Sequence, residues 1–251
     1  MATSATVQFL GSGDAFGSGG RLQTCICVSA RAMRFLIDCG ATSLTAMQQS
    51  EIDPNTIDAV LVSHLHGDHF AGVPFLILDG QFAKRERPLT IVGPIGIEKR
   101  MTDAMEVMFP GSSRVRSRFP VSYSEWQERE PTQLGSLTVV PYAVIHPSGS
   151  PAYALRIEID GVTVAYSGDT EWTDVLCEVA KRSHLFVCEA YTFDRRVRFH
   201  LEYAAIRERL QELDSRRVIL THMGKDMLRR LDEVTIETAH DGYVVQLGQS
   251  G

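Results

Sequence analysis

The pattern of apolar and polar positions divides the chain into short apolar runs separated by turn residues. Runs of about four to eight residues, rich in β-branched side chains, predict β-strands. One pair of runs is joined by Asp160-Gly161, a dipeptide that favours the tight turn of a β-hairpin. The predicted strands are Thr6–Leu10, Thr24–Val28, Met33–Asp38, Ala59–Ser63, Leu89–Val92, Leu137–Val144, Tyr153–Ile159, Val162–Tyr166, Leu185–Glu189, Arg217–Leu220 and Tyr243–Leu247.

Longer segments with an apolar face predict helices between these strands. They are Ala41–Ser50, Phe70–Phe82, Gly96–Met108, Thr173–Lys181 and Glu202–Leu213, and Gly111–Arg118 is predicted to be a loop. The order is several strands followed by strand–helix units, and it occurs in both halves of the chain. This order is typical of an α/β sandwich of two sheets covered by helices on the outer faces. No linker stands out, so we expect a single domain over residues 1–251.

Composition and charge exclude several classes of function. The chain has 25 basic and 31 acidic residues, a net charge of −6, which argues against general coating of nucleic acid. No apolar run reaches the ~18 residues needed to span a bilayer, and residues 1–6 show no secretory leader. The cysteines are odd in number and unlike a disulfide scaffold: Cys25, Cys27, Cys39, Cys177 and Cys188. We therefore expect a cytoplasmic protein with buried thiols and no membrane partner.

The segment from His64 to His69 concentrates metal-ligating side chains directly after a predicted strand. His64, His66, Asp68 and His69 offer imidazole and carboxylate groups, which suit zinc, manganese or iron. His64 and His66 are two positions apart, so both can face one ion, and we expect Gly67 to let the chain bend sharply. Asp68 and His69 can then face a second ion. A solvated polar loop is the alternative interpretation, and it explains four ligand residues within six positions poorly.

Two ions need further ligands, and three candidates follow other predicted strands. His146, Asp169 and His222 each come just after an apolar run. A single histidine after a strand is more often an ordinary core or surface residue. The repeated placement strengthens the set, because the sites of open α/β sheets gather at the carboxyl ends of strands.

These motifs resemble the metallo-β-lactamase fold superfamily, and within it the branch of ribonuclease Z and the phosphonate-pathway phosphodiesterases. The segments that carry the resemblance are Phe9–Gly13, Leu36–Gly40, Ser63–His69, His146, Ser167–Thr170, Cys188–Ala190 and Thr221–His222, which occur in the family's order along nearly the whole chain. The resemblance implies an αββα four-layer sandwich and a dinuclear metal-dependent hydrolase. It places His64, His66 and His146 on one ion, Asp68, His69 and His222 on the other, and Asp169 between them. Zinc is the first expectation for both ions, with manganese or iron as alternatives.

The resemblance also points to candidate catalytic residues. His200 occupies the position of the branch's general acid, although Leu201 replaces the small hydroxyl residue that usually follows; the alternative is a histidine that only starts a helix. Glu189 is predicted either to orient a histidine ligand or to cap its strand, and Asp68 is a third candidate beside its ligand role. Asp38 is expected to support the metal loop by hydrogen bonds or to serve an ordinary turn. Arg195, Arg196 and Arg198 could contact a phosphate, because guanidinium groups match its oxygens well, but we favour a solvated surface.

The substrate is less constrained than the metal chemistry. Ribonucleases of this branch carry a protruding arm between the third histidine and the bridging aspartate, whereas His146 and Asp169 are only 23 positions apart and a predicted hairpin fills the interval. A small phosphodiester, such as a cyclic nucleotide or a ribose phosphate, is therefore the preferred substrate. Acyl hydrolysis, as in a lactonase, is the alternative, and a non-catalytic, metal-stabilised binding module is a lesser one. A homodimer is implied by the branch alone.

Overall fold

The computed structural model describes residues 3–248 and contains, within that range, two seven-stranded sheets. The first has the order β14-β1-β2-β3-β4-β5-β6 and the second the order β13-β12-β11-β10-β9-β8-β7. The strands of the first sheet are β1 (Thr3–Gly11), β2 (Cys25–Ala30), β3 (Arg34–Ile37), β4 (Ala59–Leu61), β5 (Leu89–Gly93), β6 (Val121–Glu125) and β14 (Tyr243–Gly248). The strands of the second are β7 (Thr132–Leu134), β8 (Leu137–Val144), β9 (Ala152–Ile159), β10 (Val162–Tyr166), β11 (Leu185–Glu189), β12 (Val218–Thr221) and β13 (Glu237–Thr238).

Helices lie on the connections that join parallel strands. They are α1 (Ser43–Gln49), α2 (Gly67–Phe70), α3 (Val73–Phe82), α4 (Ile97–Met108), α5 (Val175–Ala180), α6 (Tyr203–Glu208) and α7 (Lys225–Leu228). Short 3-10 turns occupy Ser18–Gly20, Pro54–Thr56, Ser112–Arg114, Leu210–Glu212 and Leu231–Glu233. In the described part of the chain, no helix has the length and apolar character needed to cross a membrane.

Successive side chains of the strands point alternately into two buried layers, which explains why the strands are continuous apolar runs in the sequence. In β2, Ile26 and Val28 pack into the core between the two sheets, whereas Cys25 and Cys27 pack under the helices of the first sheet. A third cluster lies between the second sheet and the helices around α5 and α6. Because successive side chains of a strand point to opposite faces, a sheet covered on both sides is apolar at every position. The four layers confirm the predicted αββα sandwich.

The structure departs from the sequence prediction mainly at element ends and sheet edges. The single predicted helix Phe70–Phe82 is two helices, α2 and α3, which are separated at Ala71 and Gly72, with Pro74 in the first turn of α3. The predicted strands omit the edge strands β6, β7 and β13. Edge strands bury little of their surface, and in β6 the side chains are only half-buried or exposed, so their hydrophobic signal is weak.

Two further predictions concern the buried thiols and the extent of the domain. Cys25, Cys27, Cys39 and Cys188 are buried free thiols as predicted, whereas Cys177 is only half-buried. Residues 1–2 and 249–251 lie outside the described residues. Both ranges belong to the predicted domain, and residues 1–2 also belong to the segment searched for a secretory leader.

The segment after β4 is held by two close backbone approaches, and neither involves Gly67. Gly67 is not among the residues with positive φ, and a Cβ added to it would meet nothing nearer than 3.8 Å. The segment therefore does not require glycine at residue 67, contrary to the expectation, because any residue could adopt this backbone. The tight positions are Gly40, whose added Cβ would lie 2.3 Å from the Asp68 carbonyl oxygen, and Gly72, whose added Cβ would lie 2.2 Å from the Gly40 carbonyl oxygen.

We expect Gly72→Ala to destabilise the protein by about 1–3 kcal/mol, because the new methyl group must displace the backbone at Gly40. Gly67→Ala is the matched control and should change stability by less than ~0.5 kcal/mol. Chemical unfolding of the two variants and the wild type measures the difference. Equal stability of the two variants would contradict the packing described above.

Candidate metal centre

All seven predicted ligands meet at one edge of the sandwich, where the carboxyl ends of strands come together. Residues 64–69 follow β4, and the other three candidates follow β8, β10 and β12. His64, Asp68, His69, His146, Asp169 and His222 are buried, and His66 is half-buried. The structure therefore brings together side chains that span residues 64 to 222.

Among the described residues, three groups could each hold a metal ion, and the third, Asp169, Glu189, His200 and His222, overlaps the second. His64, His66 and His146 form the first group. The Nε2 atom of His146 lies 3.0 Å from Nδ1 of His66. Nδ1 of His146 donates to the Phe199 carbonyl oxygen at 2.8 Å, so its Nε2 carries a lone pair toward the group. Nδ1 of His64 lies 3.0 Å from Ser63 Oγ, which itself donates to Asp38. His64 therefore also presents the lone pair of Nε2, as a metal ligand requires.

Asp68, His69, Asp169 and His222 form the second group. The Nε2 atoms of His69 and His222 are 3.3 Å apart, and each lies 3.2 Å from Oδ2 of Asp68. Imidazole nitrogens that converge on carboxylate oxygens at these distances are typical of ligands that share a cation.

Asp169 touches both groups. Its Oδ1 lies 3.4 Å from His69 Nε2, whereas its Oδ2 lies 3.4 Å from His222 Nε2, 3.9 Å from His64 Nε2 and 4.0 Å from His146 Nε2. A carboxylate that faces both groups can bridge two ions. Among the described residues, His64 Nε2 and Asp169 Oδ1 are buried atoms without a hydrogen-bond partner. Such atoms are costly in an apolar interior, and a cation would satisfy both.

The pKa shifts separate the two groups. Burial lowers the pKa of His64, His66 and His146, which keeps these imidazoles neutral. Burial also opposes charge on His222, but Asp169 and the hydrogen bond to Asp68 outweigh it and raise the pKa to about 9. Because ligands must be deprotonated to bind a metal, divalent cations at the second group would displace protons held by its histidines.

Asp38 anchors the segment that carries His64 and His69. Its Oδ2 accepts from His69 Nδ1 at 2.7 Å, from Ser63 Oγ at 2.8 Å and from Tyr166 Oη at 2.9 Å. Its Oδ1 accepts from the Ser63 amide at 2.7 Å. Asp38 fixes the His69 tautomer, so the predicted support by hydrogen bonds is present, and its backbone has a positive φ of 56°.

His200 and Glu189 border the second group as a hydrogen-bonded pair. Nδ1 of His200 lies 3.0 Å from Glu189 Oε2 and 3.9 Å from Asp169 Oδ2. Glu189 is buried, its Oε1 accepts from the Thr170 amide, and its Oε2 lies 3.8 Å from Nδ1 of His222. Burial disfavours charge on His200, but the hydrogen bond and the charge of Glu189 raise its pKa. The carboxylate thus contacts both the candidate acid and a candidate ligand.

Comparison with known proteins places this centre in a family. A family described as anti-Pycsar protein Apyc1 matches residues 5–246. The chain belongs to this family. That match covers all seven ligand candidates as well as Glu189 and His200.

Two curated proteins are similar in sequence to this chain. An uncharacterized protein of Mycobacterium leprae is 32% identical over 195 residues, which are 75% of this chain and 66% of that protein. A ribonuclease Z of Methanothermobacter thermautotrophicus is 26% identical over 95% of this chain and 92% of its own length. The chain spans about 56–66% of the length of the mycobacterial relatives that it matches.

Solved structures support the fold of the family. The metallo-β-lactamase fold protein YhfI of Bacillus subtilis has a TM-score of 0.80 and 20% identity, and the alignment covers 98% of this chain and 100% of that one. A diphosphatase of the PhnP family has a TM-score of 0.78 and 18% identity, with 98% of both chains covered. The predicted resemblance to the metallo-β-lactamase fold superfamily is confirmed.

The anti-Pycsar family match also covers supporting residues that the sequence analysis missed. The His222 amide donates to the Ser12 carbonyl oxygen at 3.1 Å, and Asp241 Oδ1 accepts from the Ser12 amide at 2.9 Å and from Ser12 Oγ at 2.8 Å. The ring of Tyr191 lies 4.7 Å from that of His200, centroid to centroid. Arg196 is 80% exposed and pairs with Glu171, as expected of a solvated surface residue.

We expect Asp38→Asn to weaken metal binding by about 10- to 100-fold, because the His69 imidazole loses its carboxylate partner. Asp58→Asn removes the same charge at the opposite end of β4, where Asp58 pairs with Arg87, and should leave the affinity unchanged. Competition with a zinc chelator measures both affinities without reference to turnover. If both variants bind zinc as the wild type does, Asp38 does not support the centre.

Proposed function

We propose that the protein is a dinuclear metal-dependent phosphodiesterase that acts on a small phosphodiester. The observation that carries the proposal is the His200–Glu189 pair, which stands 3.0 Å apart beside two ligand groups joined by Asp169. Two ions and an adjacent proton donor are the parts that hydrolysis of a phosphodiester requires.

The ligand groups divide the residues between two ions. His64, His66 and His146 would hold one ion, Asp68, His69 and His222 the other, and Asp169 would bridge them. The nitrogen and oxygen donors suit zinc, with manganese or iron as alternatives. When bound, a pair of divalent ions supplies an activated water and neutralises charge on the phosphate oxygens.

The chain's own residues position the proton that the leaving group needs. Glu189 holds Nδ1 of His200, which leaves Nε2 free to donate to the leaving oxygen. Glu189 is a positioning residue, because its carboxylate is tied to Thr170 and His200 and is almost completely buried. Asp68 serves the same centre as a ligand, and its contacts with His69 and His222 orient both imidazoles.

The surroundings of the centre favour a small anionic substrate. Two divalent ions would exceed the charge of the two ligating carboxylates, Asp68 and Asp169, so an anionic phosphodiester is attracted. β9 and β10 pair as a hairpin over most of the interval between His146 and Asp169, which leaves no room for an RNA-binding arm. A relative named ribonuclease Z supports phosphodiester chemistry, and the missing arm supports a substrate smaller than tRNA.

A substrate panel on the zinc- and manganese-loaded protein tests the proposal against acyl hydrolysis. We expect turnover of bis-p-nitrophenyl phosphate and of a cyclic nucleotide, and none of a lactone or a β-lactam. Asp169→Ala should abolish the turnover, because both ligand groups lose their shared carboxylate. Lactone turnover without phosphodiester turnover would favour the acyl hydrolase, and ligand binding without any turnover would favour a binding module.

We expect His200→Ala to lower kcat by about 100- to 10,000-fold for a phosphodiester with an alkyl leaving group, because alkoxides need protonation. The loss should be less than ~10-fold for a p-nitrophenyl ester, whose leaving group departs as a stable anion. His184→Ala, at the amino end of β11, is the control and should alter neither rate. An equal loss for the two substrates would show that His200 does not act as the acid.

A further inference from the structure

We propose that the cavity behind Tyr191 is a subsite for the nucleobase of the substrate, with Phe16 and Tyr191 as its aromatic walls. The inference rests on the phosphodiesterase function proposed above and names the part of the substrate that lies outside the metal centre. The cavity has a volume of about 280 Å³, and its lining includes Phe16, Tyr191, Arg195, Gly224, Lys225 and Asp226.

The cavity shares a wall with the reaction centre. The ring centroid of Tyr191 lies 4.7 Å from that of His200 and 6.3 Å from that of His222. Gly224, which lies only two residues after His222, also lines the cavity. A substrate whose phosphate lies at the ligand groups and whose leaving oxygen lies at His200 can therefore reach the cavity with its next ring.

Gly224 fixes the position of the Tyr191 ring. Its φ of −75° is one that any residue adopts, so the backbone does not require glycine. A Cβ at this position would, however, lie 2.9 Å from Cε2 of Tyr191, and the Gly224 amide donates to the Tyr191 carbonyl oxygen at 2.9 Å. The absent side chain thus lets the ring approach the backbone at Gly224 closely.

Phe16 faces the cavity from a loop that is organised in advance. The Asp14 carboxylate accepts from the amides of Phe16 at 3.2 Å and Ser18 at 2.8 Å, and from Ser18 Oγ at 2.7 Å. Gly17 and Gly19 hold positive φ values of 62° and 68°. Despite these constraints the Phe16 side chain is 81% exposed. A preorganised loop that displays a large aromatic group beside a cavity is suited to stacking on a flat ring.

The rim supplies polar groups for the edge of such a ring. Arg195 and Lys225 are exposed, and within residues 3–248 neither forms an ion pair. Asp226 accepts from the Phe193 amide through Oδ2 at 3.1 Å and keeps its other oxygen as an acceptor. Donors and an acceptor around two aromatic walls match a heteroaromatic base better than a second phosphate, which would gain nothing from the two rings.

Turnover of two substrates by the metal-loaded protein tests the subsite. We use adenosine 3′,5′-cyclic phosphate and the corresponding cyclic ribose phosphate that lacks a base. Phe16→Ala should raise KM for the nucleotide by about 10-fold, with kcat within ~2-fold of wild type, and should leave the base-free substrate unaffected. Phe16→Tyr should restore the wild-type KM. Phe82→Ala removes an equally exposed ring that is distant in sequence and outside this cavity, and should change neither substrate.

The outcomes separate the subsite from the function on which it rests. If the wild type hydrolyses both substrates and Phe16→Ala affects them equally, or affects neither, the subsite is wrong and the phosphodiesterase remains. If the wild type hydrolyses neither, the phosphodiesterase is wrong, and calorimetry with AMP and ribose 5-phosphate decides the subsite. There, tighter binding of AMP that is lost in Phe16→Ala supports it, and equal binding overturns it. A preference for a second phosphate that Lys225→Ala removes and Phe16→Ala preserves would also overturn it.

Discussion

The carboxylate of Asp169 is the group on which the rest of the centre depends. It is almost completely buried, and a nitrogen of each of five imidazoles lies within 4.0 Å of one of its oxygens: His64, His69, His146, His200 and His222. An unpaired carboxylate in an apolar interior costs several kcal/mol or more. Positive charge must therefore lie next to it, either as protons on the histidines or as cations. The two ligand groups are the means of placing that charge on both of its oxygens.

A centre of this kind is useful only if its ligands cannot relax away from it. Asp38, Phe199 and His222 hold left-handed backbone conformations, with φ of 56°, 69° and 56°. Each such conformation costs a residue other than glycine of the order of 1 kcal/mol or more. Each has a structural reason, because Asp38 binds His69, the Phe199 carbonyl binds His146, and the His222 amide is held by Ser12. The strain is offset by the apolar cores on both faces of each sheet.

Some of the ligands can be predicted from the sequence more readily than others. Residues 64–69 form a contiguous pattern, so their chemistry can be predicted without a fold. His146, Asp169 and His222 become visible only because each follows an apolar run, and their grouping needs the rule that carboxyl ends of strands meet. Asp241 could not be predicted in this way, since it reaches Ser12 across 229 positions. The edge strand β6 was not predicted for a different reason: its side chains are half-buried or exposed, so the sequence shows no apolar face there.

The residues of the metal centre and the residues that would contact the rest of the substrate lie on different parts of the fold. The ligands are set by the strand ends of the sandwich, and a shared fold therefore carries the metal chemistry with it. The groups around the centre belong to connections: Phe16 lies between β1 and β2, and Tyr191, Arg195 and His200 lie between β11 and α6. Loops tolerate change more readily than the strands that position them, so related chains can keep one centre and act on different molecules. In this chain the link between the two is Tyr191, whose ring rests on His200 while it closes the neighbouring cavity.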